Sequence, residues 1–84
     1  MDSVLAANYF WNNYFDLVFI DACHLYDCVM NDIVAWYPLV KPGGWVTGHD
    51  YGVRQHHGVK EAVDEYFGQD NIDVHHEIWL YQKK

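Results

Sequence analysis

The stretch Leu17-Val-Phe-Ile-Asp-Ala-Cys-His24 is an apolar run with an acid and an imidazole directly after it. A second run, Gly44-Trp-Val-Thr-Gly48, is followed in the same way by His49 and Asp50. One helix-sized segment separates the two runs, which predicts two adjacent parallel strands joined by a crossover helix. Ligands of open α/β sheets bind at the carboxyl ends of the strands. We therefore expect these acids and imidazoles to meet at one edge of a sheet.

Three segments have the residue spacing of amphipathic helices. Their apolar residues recur at three- and four-residue steps, and their polar residues point the other way. The predicted helices cover residues 3–11, 26–37 and 59–67. Pro38 closes the second helix, and Gly68 stands where the third should end.

The strand predictions alternate with these helices. Residues 16–21 lack a polar alternation, which predicts a central strand buried on both faces. Lys41-Pro-Gly-Gly44 predicts a tight turn before the second strand. Residues 72–83 alternate in part, which is typical of a final strand or a tight pair of strands. The fold class is α/β, with parallel strands and crossover helices.

Size, charge and cysteine content narrow the possible functions. A chain of 84 residues is at most one small domain. Its net charge of −7 opposes binding to a phosphate backbone, so we expect no nucleic acid as partner. The chain has neither an apolar run of membrane-spanning length nor a secretory signal, which predicts a cytoplasmic protein that does not bind a membrane. Cys23 and Cys28 are interpreted as ordinary thiols.

Several motifs follow one another at characteristic distances along the chain. They are Phe15-Asp-Leu-Val-Phe-Ile-Asp-Ala22, His24-Leu-Tyr26, Leu39-Val-Lys-Pro-Gly-Gly44, Gly48-His-Asp-Tyr51 and Ile78-Trp-Leu-Tyr81. In this combination they resemble the C-terminal half of a class I S-adenosylmethionine-dependent methyltransferase, and within that class the metal-dependent O-methyltransferases of small molecules. The resemblance covers about residues 2–83. It implies a partial Rossmann-like fold that ends in an antiparallel strand or hairpin.

The chain departs from the family pattern in one respect. The Gly-rich turn that holds the cofactor in the family has no counterpart, since no GxGxG occurs in the sequence. Residues 1–84 are therefore interpreted as a single partial methyltransferase domain, inactive alone. A complementary N-terminal half or a second copy of the chain would be its partner. The alternative is a non-catalytic dimerising or metal-binding module, or a gene remnant.

The resemblance also implies a metal site and a catalytic base. Asp21, His49 and Asp50 match the metal ligands of the family, and oxygen ligands suit Mg²⁺ or Mn²⁺. An imidazole at position 49 makes the site softer, so that Fe²⁺ and Zn²⁺ are also compatible. His24 matches the general base, which would take the proton of a small-molecule hydroxyl acceptor.

The expected cofactor is S-adenosylmethionine. By the same resemblance, Asp2, Ser3, Val4 and Ala22 match residues beside this cofactor. Ser3 equally suits a helix N-cap.

Each matched residue also has a structural interpretation. Asp21 can cap the helix that begins near residue 26, His49 and Asp50 can bond loop amides, and His24 can be exposed to solvent. Tyr51 and Trp79 are interpreted as packing residues rather than pocket residues. The remaining histidines are interpreted as surface residues that can bind metal adventitiously: His56, His57, His75 and His76.

Overall fold

Strands and helices alternate through most of the chain. The protein is represented by a computed structural model, which describes residues 6–7, 9–20 and 24–84. The strands are β1 (Phe15–Ile20), β2 (Val40–Gly48), β3 (Asp73–His75) and β4 (Ile78–Gln82). The helices are α1 (Tyr26–Trp36) and α2 (His57–Phe67), and short 3-10 turns cover Tyr37–Leu39, Arg54–His56 and Gln69–Asn71.

The strands form one mixed sheet in the order β1-β2-β4-β3. β1 and β2 are parallel, whereas β4 runs antiparallel to both β2 and β3. The predicted α/β class is confirmed, and the last two strands form the expected hairpin. Ile20 lies opposite Gly48 in the parallel pair. β1 and β2 therefore end at the same edge of the sheet.

The apolar faces of the two helices form much of the hydrophobic core. Val59, Ala62 and Val63 of α2 are almost fully buried, and they share one apolar cluster with Ile33 of α1 and Val46 of β2. Gly68 has a φ of +87°, a conformation that glycine adopts without steric cost, and it ends α2 as expected. Pro38 stops α1 at the predicted point.

The expectation that β1 is central and buried on both faces is wrong. β1 is an edge strand of the described sheet. Val18 and Ile20 are buried beneath the helices, but Leu17 is 56% exposed and Phe19 is 46% exposed on the other face. The described residues place no element over that face. Within the described residues, one apolar face of β1 is therefore uncovered.

Two further expectations are corrected in part. The residues Lys41–Gly44 lie within β2, where they bulge between the pairs Phe15 with Val40 and Leu17 with Trp45. The helix expected over 3–11 lies partly outside the described residues. Within them it includes only residues 6 and 7, and residues 9–13 are non-helical, with turns at 9 and 12–13 and a bend at 10.

Two observations bear on cysteine chemistry and membranes. Cys28 in α1 is disulfide-bonded, so the expectation of an ordinary thiol is wrong for this residue. In the part of the chain that the structure describes, every helix is too short or too polar to cross a membrane.

Candidate functional site

The parallel strand pair places His24, His49 and Asp50 at one edge of the sheet. His24 lies just before α1, and the other two follow β2 directly. The Oδ2 atom of Asp50 lies 2.7 Å from Nε2 of His24 and 3.0 Å from Nδ1 of His49. The structure thus brings two of the histidines singled out in the sequence against one carboxylate oxygen of Asp50, the third such residue.

The other sequence-predicted site residues lie outside the described part of the chain. They are Asp2, Ser3, Val4, Asp21 and Ala22. The N-cap residue of α1 is Leu25, whose side chain makes no capping hydrogen bond.

His56 joins the site although it belongs to none of the sequence motifs. Its imidazole stacks on that of His24, with ring centroids 3.6 Å apart and an angle of 29° between the planes. His24, Asp50 and His56 each offer one ligand atom, and these atoms lie within 4.8 Å of one another. The loop between β2 and α2 folds back over the sheet edge, so sequence distance gave no sign of this contact.

The backbone of Asp50 has an unusual conformation. Its φ is +66°, in the left-handed region that non-glycine residues seldom adopt. The carbonyl of Asp50 accepts a hydrogen bond from the N–H of Val53, and the N–H of Tyr51 donates to Glu77 in the β3–β4 turn. These contacts hold the carboxylate in place against an unfavourable backbone geometry.

Tyr51 anchors the loop behind Asp50. Its hydroxyl donates a hydrogen bond to Asp64, which also forms an ion pair with Lys60 at 2.7 Å. Burial raises the pKa of Tyr51 well above its usual range, and the bond to the Asp64 carboxylate raises it further. Tyr51 is 8% exposed and Trp79 is 1% exposed. Both are packing residues, as the sequence predicted.

Gly58 fixes the position of His24 by close contact. A Cβ atom at position 58 would lie 2.5 Å from the backbone nitrogen of Tyr26 and 2.8 Å from the carbonyl oxygen of His24. Both atoms belong to the main chain, so a flexible side chain cannot relieve the overlap. The first turn of α2 and the start of α1 therefore meet at a point where only glycine fits.

The substitution Gly58→Ala should destabilise the fold by about 1–3 kcal/mol, the usual cost of overpacking a close contact. The gain in helix propensity, at most about 1 kcal/mol, acts in the opposite direction and is smaller. Urea denaturation measures the change. Gln55→Ala, at an exposed neighbouring position, is the control and should leave stability nearly unchanged. A G58A protein as stable as wild type would contradict the close contact.

A groove of about 360 Å³ opens beside His24. Leu25 and Tyr26 line one side of it, and Gln55 and Glu61 line the other. Its size falls within the range of small-molecule sites.

The donor atoms at the sheet edge suit a divalent ion. Around an ion with ligands at about 2.0–2.1 Å, neighbouring octahedral ligand atoms lie about 2.9 Å apart. The 3.0 Å separation of His49 Nδ1 and Asp50 Oδ2 matches that spacing. A carboxylate with an imidazole accepts Mn²⁺, Fe²⁺ and Zn²⁺ as well as Mg²⁺. The described residues therefore fit the metal that the family resemblance implies.

Comparisons with known proteins identify the family. A family model described as a methyltransferase domain matches residues 1–51. The architecture is that of a class I S-adenosylmethionine-dependent methyltransferase, present here as part of its Rossmann-like fold. The chain belongs to this methyltransferase-domain family. No curated protein matches it.

Solved structures of O-methyltransferases share the fold. The O-methyltransferase NovP is 25% identical over 86% of this chain and 31% of its own, with a TM-score of 0.68. CalS11, a TDP-rhamnose 3'-O-methyltransferase of calicheamicin biosynthesis, is 16% identical over 82% of this chain and 32% of its own, with a TM-score of 0.69.

A third similar structure contains ligands. The MycE methyltransferase of the mycinamycin pathway, in complex with Mg, SAH and mycinamycin VI, is 19% identical over 96% of this chain and 28% of its own, with a TM-score of 0.66. The chain thus spans about a third of the length of these three proteins.

Proposed function

We propose that this chain supplies the acceptor-side part of an S-adenosylmethionine-dependent O-methyltransferase that acts on a small-molecule hydroxyl with the help of a divalent metal. The observation that carries the proposal is the convergence of His24, His49 and Asp50 at the carboxyl ends of two parallel strands. Membership of the methyltransferase-domain family supports the reaction class.

His24 is the residue proposed to accept the hydroxyl proton. Imidazole is suited to this task because it titrates near neutral pH. Asp50 lies 2.7 Å from Nε2 of His24, where its negative charge stabilises the positive charge that the ring acquires with the proton. The groove beside His24 provides space for the acceptor next to the base.

Asp50 and His49 are the described residues that would hold the metal, and Asp21 completes the predicted set. A divalent ion bound there supplies Lewis acidity, which makes a hydroxyl group easier to deprotonate. S-adenosylmethionine supplies the methyl group, and its predicted contacts are Asp2, Ser3, Val4 and Ala22.

The open side of β1 supports a partner that completes the sheet. β1 is the edge strand of the described sheet, and Leu17 and Phe19 expose an apolar surface beside it. An apolar edge of this kind favours pairing with another strand. A complementary N-terminal half of the domain would cover both the edge and the face, whereas a homodimer would pair β1 with its own copy.

Reconstitution tests the proposed function. The chain is produced with and without a polypeptide that carries the N-terminal half of a methyltransferase domain, and methyl transfer from S-adenosylmethionine to sugar and phenol acceptors is measured. We expect product only when both polypeptides and Mg²⁺ or Mn²⁺ are present, and loss of product with EDTA. Product formation that EDTA leaves unchanged would contradict the role of the metal, and no product with any acceptor would contradict the proposed reaction.

A further inference from the structure

The side chain of His56 has no role in the proposed methyl transfer, yet it lies against the reaction site. Its ring stacks on His24, and its ligand atom lies within 4.8 Å of those of His24 and Asp50. The next residue, His57, begins α2 and pairs with Glu61 at 2.9 Å instead. Two adjacent histidines of similar sequence context therefore have different surroundings.

We infer that His24, Asp50 and His56 form a binding site for a borderline divalent transition-metal ion, with Zn²⁺ as the best match. Two imidazoles and one carboxylate are a frequent ligand set for such ions, whereas Mg²⁺ prefers oxygen ligands. Around a tetrahedral Zn²⁺ with ligands at about 2.0–2.1 Å, neighbouring ligand atoms lie about 3.3 Å apart. His24 Nε2 and Asp50 Oδ2 pair at 2.7 Å and would separate slightly to share the ion. The three ligand atoms lie within 4.8 Å of one another, so binding requires side-chain rotation that brings them closer together.

Backbone contacts fix the main chain of both histidine ligands. His56 ends a 3-10 turn in which its N–H donates to the carbonyl of Val53 at 2.9 Å. The main chain of His24 packs on Gly58, two residues beyond His56. The side chains of His24 and Asp50 are 42% and 22% exposed, so an ion from solvent reaches them directly.

This site differs from the metal site that the family resemblance implies. That set consists of Asp21, His49 and Asp50, so the two sets share only Asp50. Substitution of His56 affects one site, and substitution of His49 affects the other. One consequence rests on the proposed function: Zn²⁺ bound by His24 takes the lone pair with which the ring would accept a proton, so it should inhibit methyl transfer. The binding itself does not depend on that function.

Titration of the metal-free chain with Zn²⁺, followed by calorimetry, tests the site. We expect one Zn²⁺ per chain and an affinity that falls at least about tenfold in His56→Gln, since even the loss of outer-shell partners costs about 10–100-fold. His57→Gln, whose side chain is 79% exposed, is the matched control and should bind as wild type does. His49→Gln should weaken binding less than His56→Gln does.

Three results would overturn the inference: no Zn²⁺ binding by wild type, unchanged affinity in H56Q, or a larger loss in H49Q than in H56Q. The imidazole NMR signals of the wild-type chain give a second measurement. It needs no variant, so misfolding of a variant cannot affect it. Zn²⁺ should shift the signals of His24 and His56 and leave those of His75 and His76 in the hairpin unchanged. Shifts confined to the hairpin histidines would also overturn the site.

Discussion

Methyl transfer by the completed domain should fall by about 10²–10⁴-fold when His24 is replaced by Gln, because that is the usual contribution of a positioned general base. Glutamine keeps the size and polarity of the side chain but cannot accept the proton at neutral pH. The rate of product formation at saturating acceptor and cofactor measures the effect. We expect the loss in kcat, with little change in the KM for S-adenosylmethionine.

His75→Gln is the control for this experiment. It changes an exposed histidine of β3 that does not line the groove beside His24, and it should retain the wild-type rate. Asp50→Asn should reduce the rate as strongly as His24→Gln, because it removes both the partner of His24 and a proposed metal ligand. An H24Q enzyme with a wild-type kcat would exclude His24 as the base.

Trp79→Ala should destabilise the protein by about 3–5 kcal/mol, the typical cost of truncating a buried aromatic residue. Trp79 is 1% exposed, packs on Phe67 with ring centroids 5.8 Å apart, and lies directly over Gly48. Its carbonyl also accepts the hydroxyl hydrogen of Thr47 at 2.7 Å. Domains of this length have a total stability of about 4–13 kcal/mol, so the variant should be largely unfolded near the lower end of that range.

Urea denaturation followed by circular dichroism measures this effect. Ile78→Ala is the matched control, since Ile78 is the preceding residue of β4 but is 43% exposed. It should cost much less than Trp79→Ala. Similar losses in the two variants would mean that Trp79 does not hold β4 against the helices.

The sequence predicted the helices and strands better than it predicted which of their faces are buried. The stripe that includes Val59 and Val63 predicted α2 correctly, because helical spacing and burial are both local consequences of one face turning inward. β1 was predicted as central because its residues are apolar throughout. Whether Leu17 and Phe19 are buried depends on which other part of the protein packs on that face of the sheet. The residues of the strand alone do not determine this.

In the candidate site, too, some residue positions were predictable from the sequence and one was not. His24, His49 and Asp50 follow strands whose parallel pairing was predictable, so their proximity was predictable as well. His56 was interpreted as a surface residue because it lies in a polar loop without periodicity. Only the path of that loop places its ring on His24.

At Asp50, the residue that suits the backbone conformation differs from the residue that the proposed function requires. Glycine would occupy that backbone conformation at no steric cost, while aspartate bears a cost smaller than the roughly 1–2 kcal/mol of most residues. Selection of variants for heat resistance alone values the carboxylate only for its pairs with His24 and His49, and would therefore tolerate glycine at position 50. Engineering of this chain for thermal robustness has to keep that position fixed.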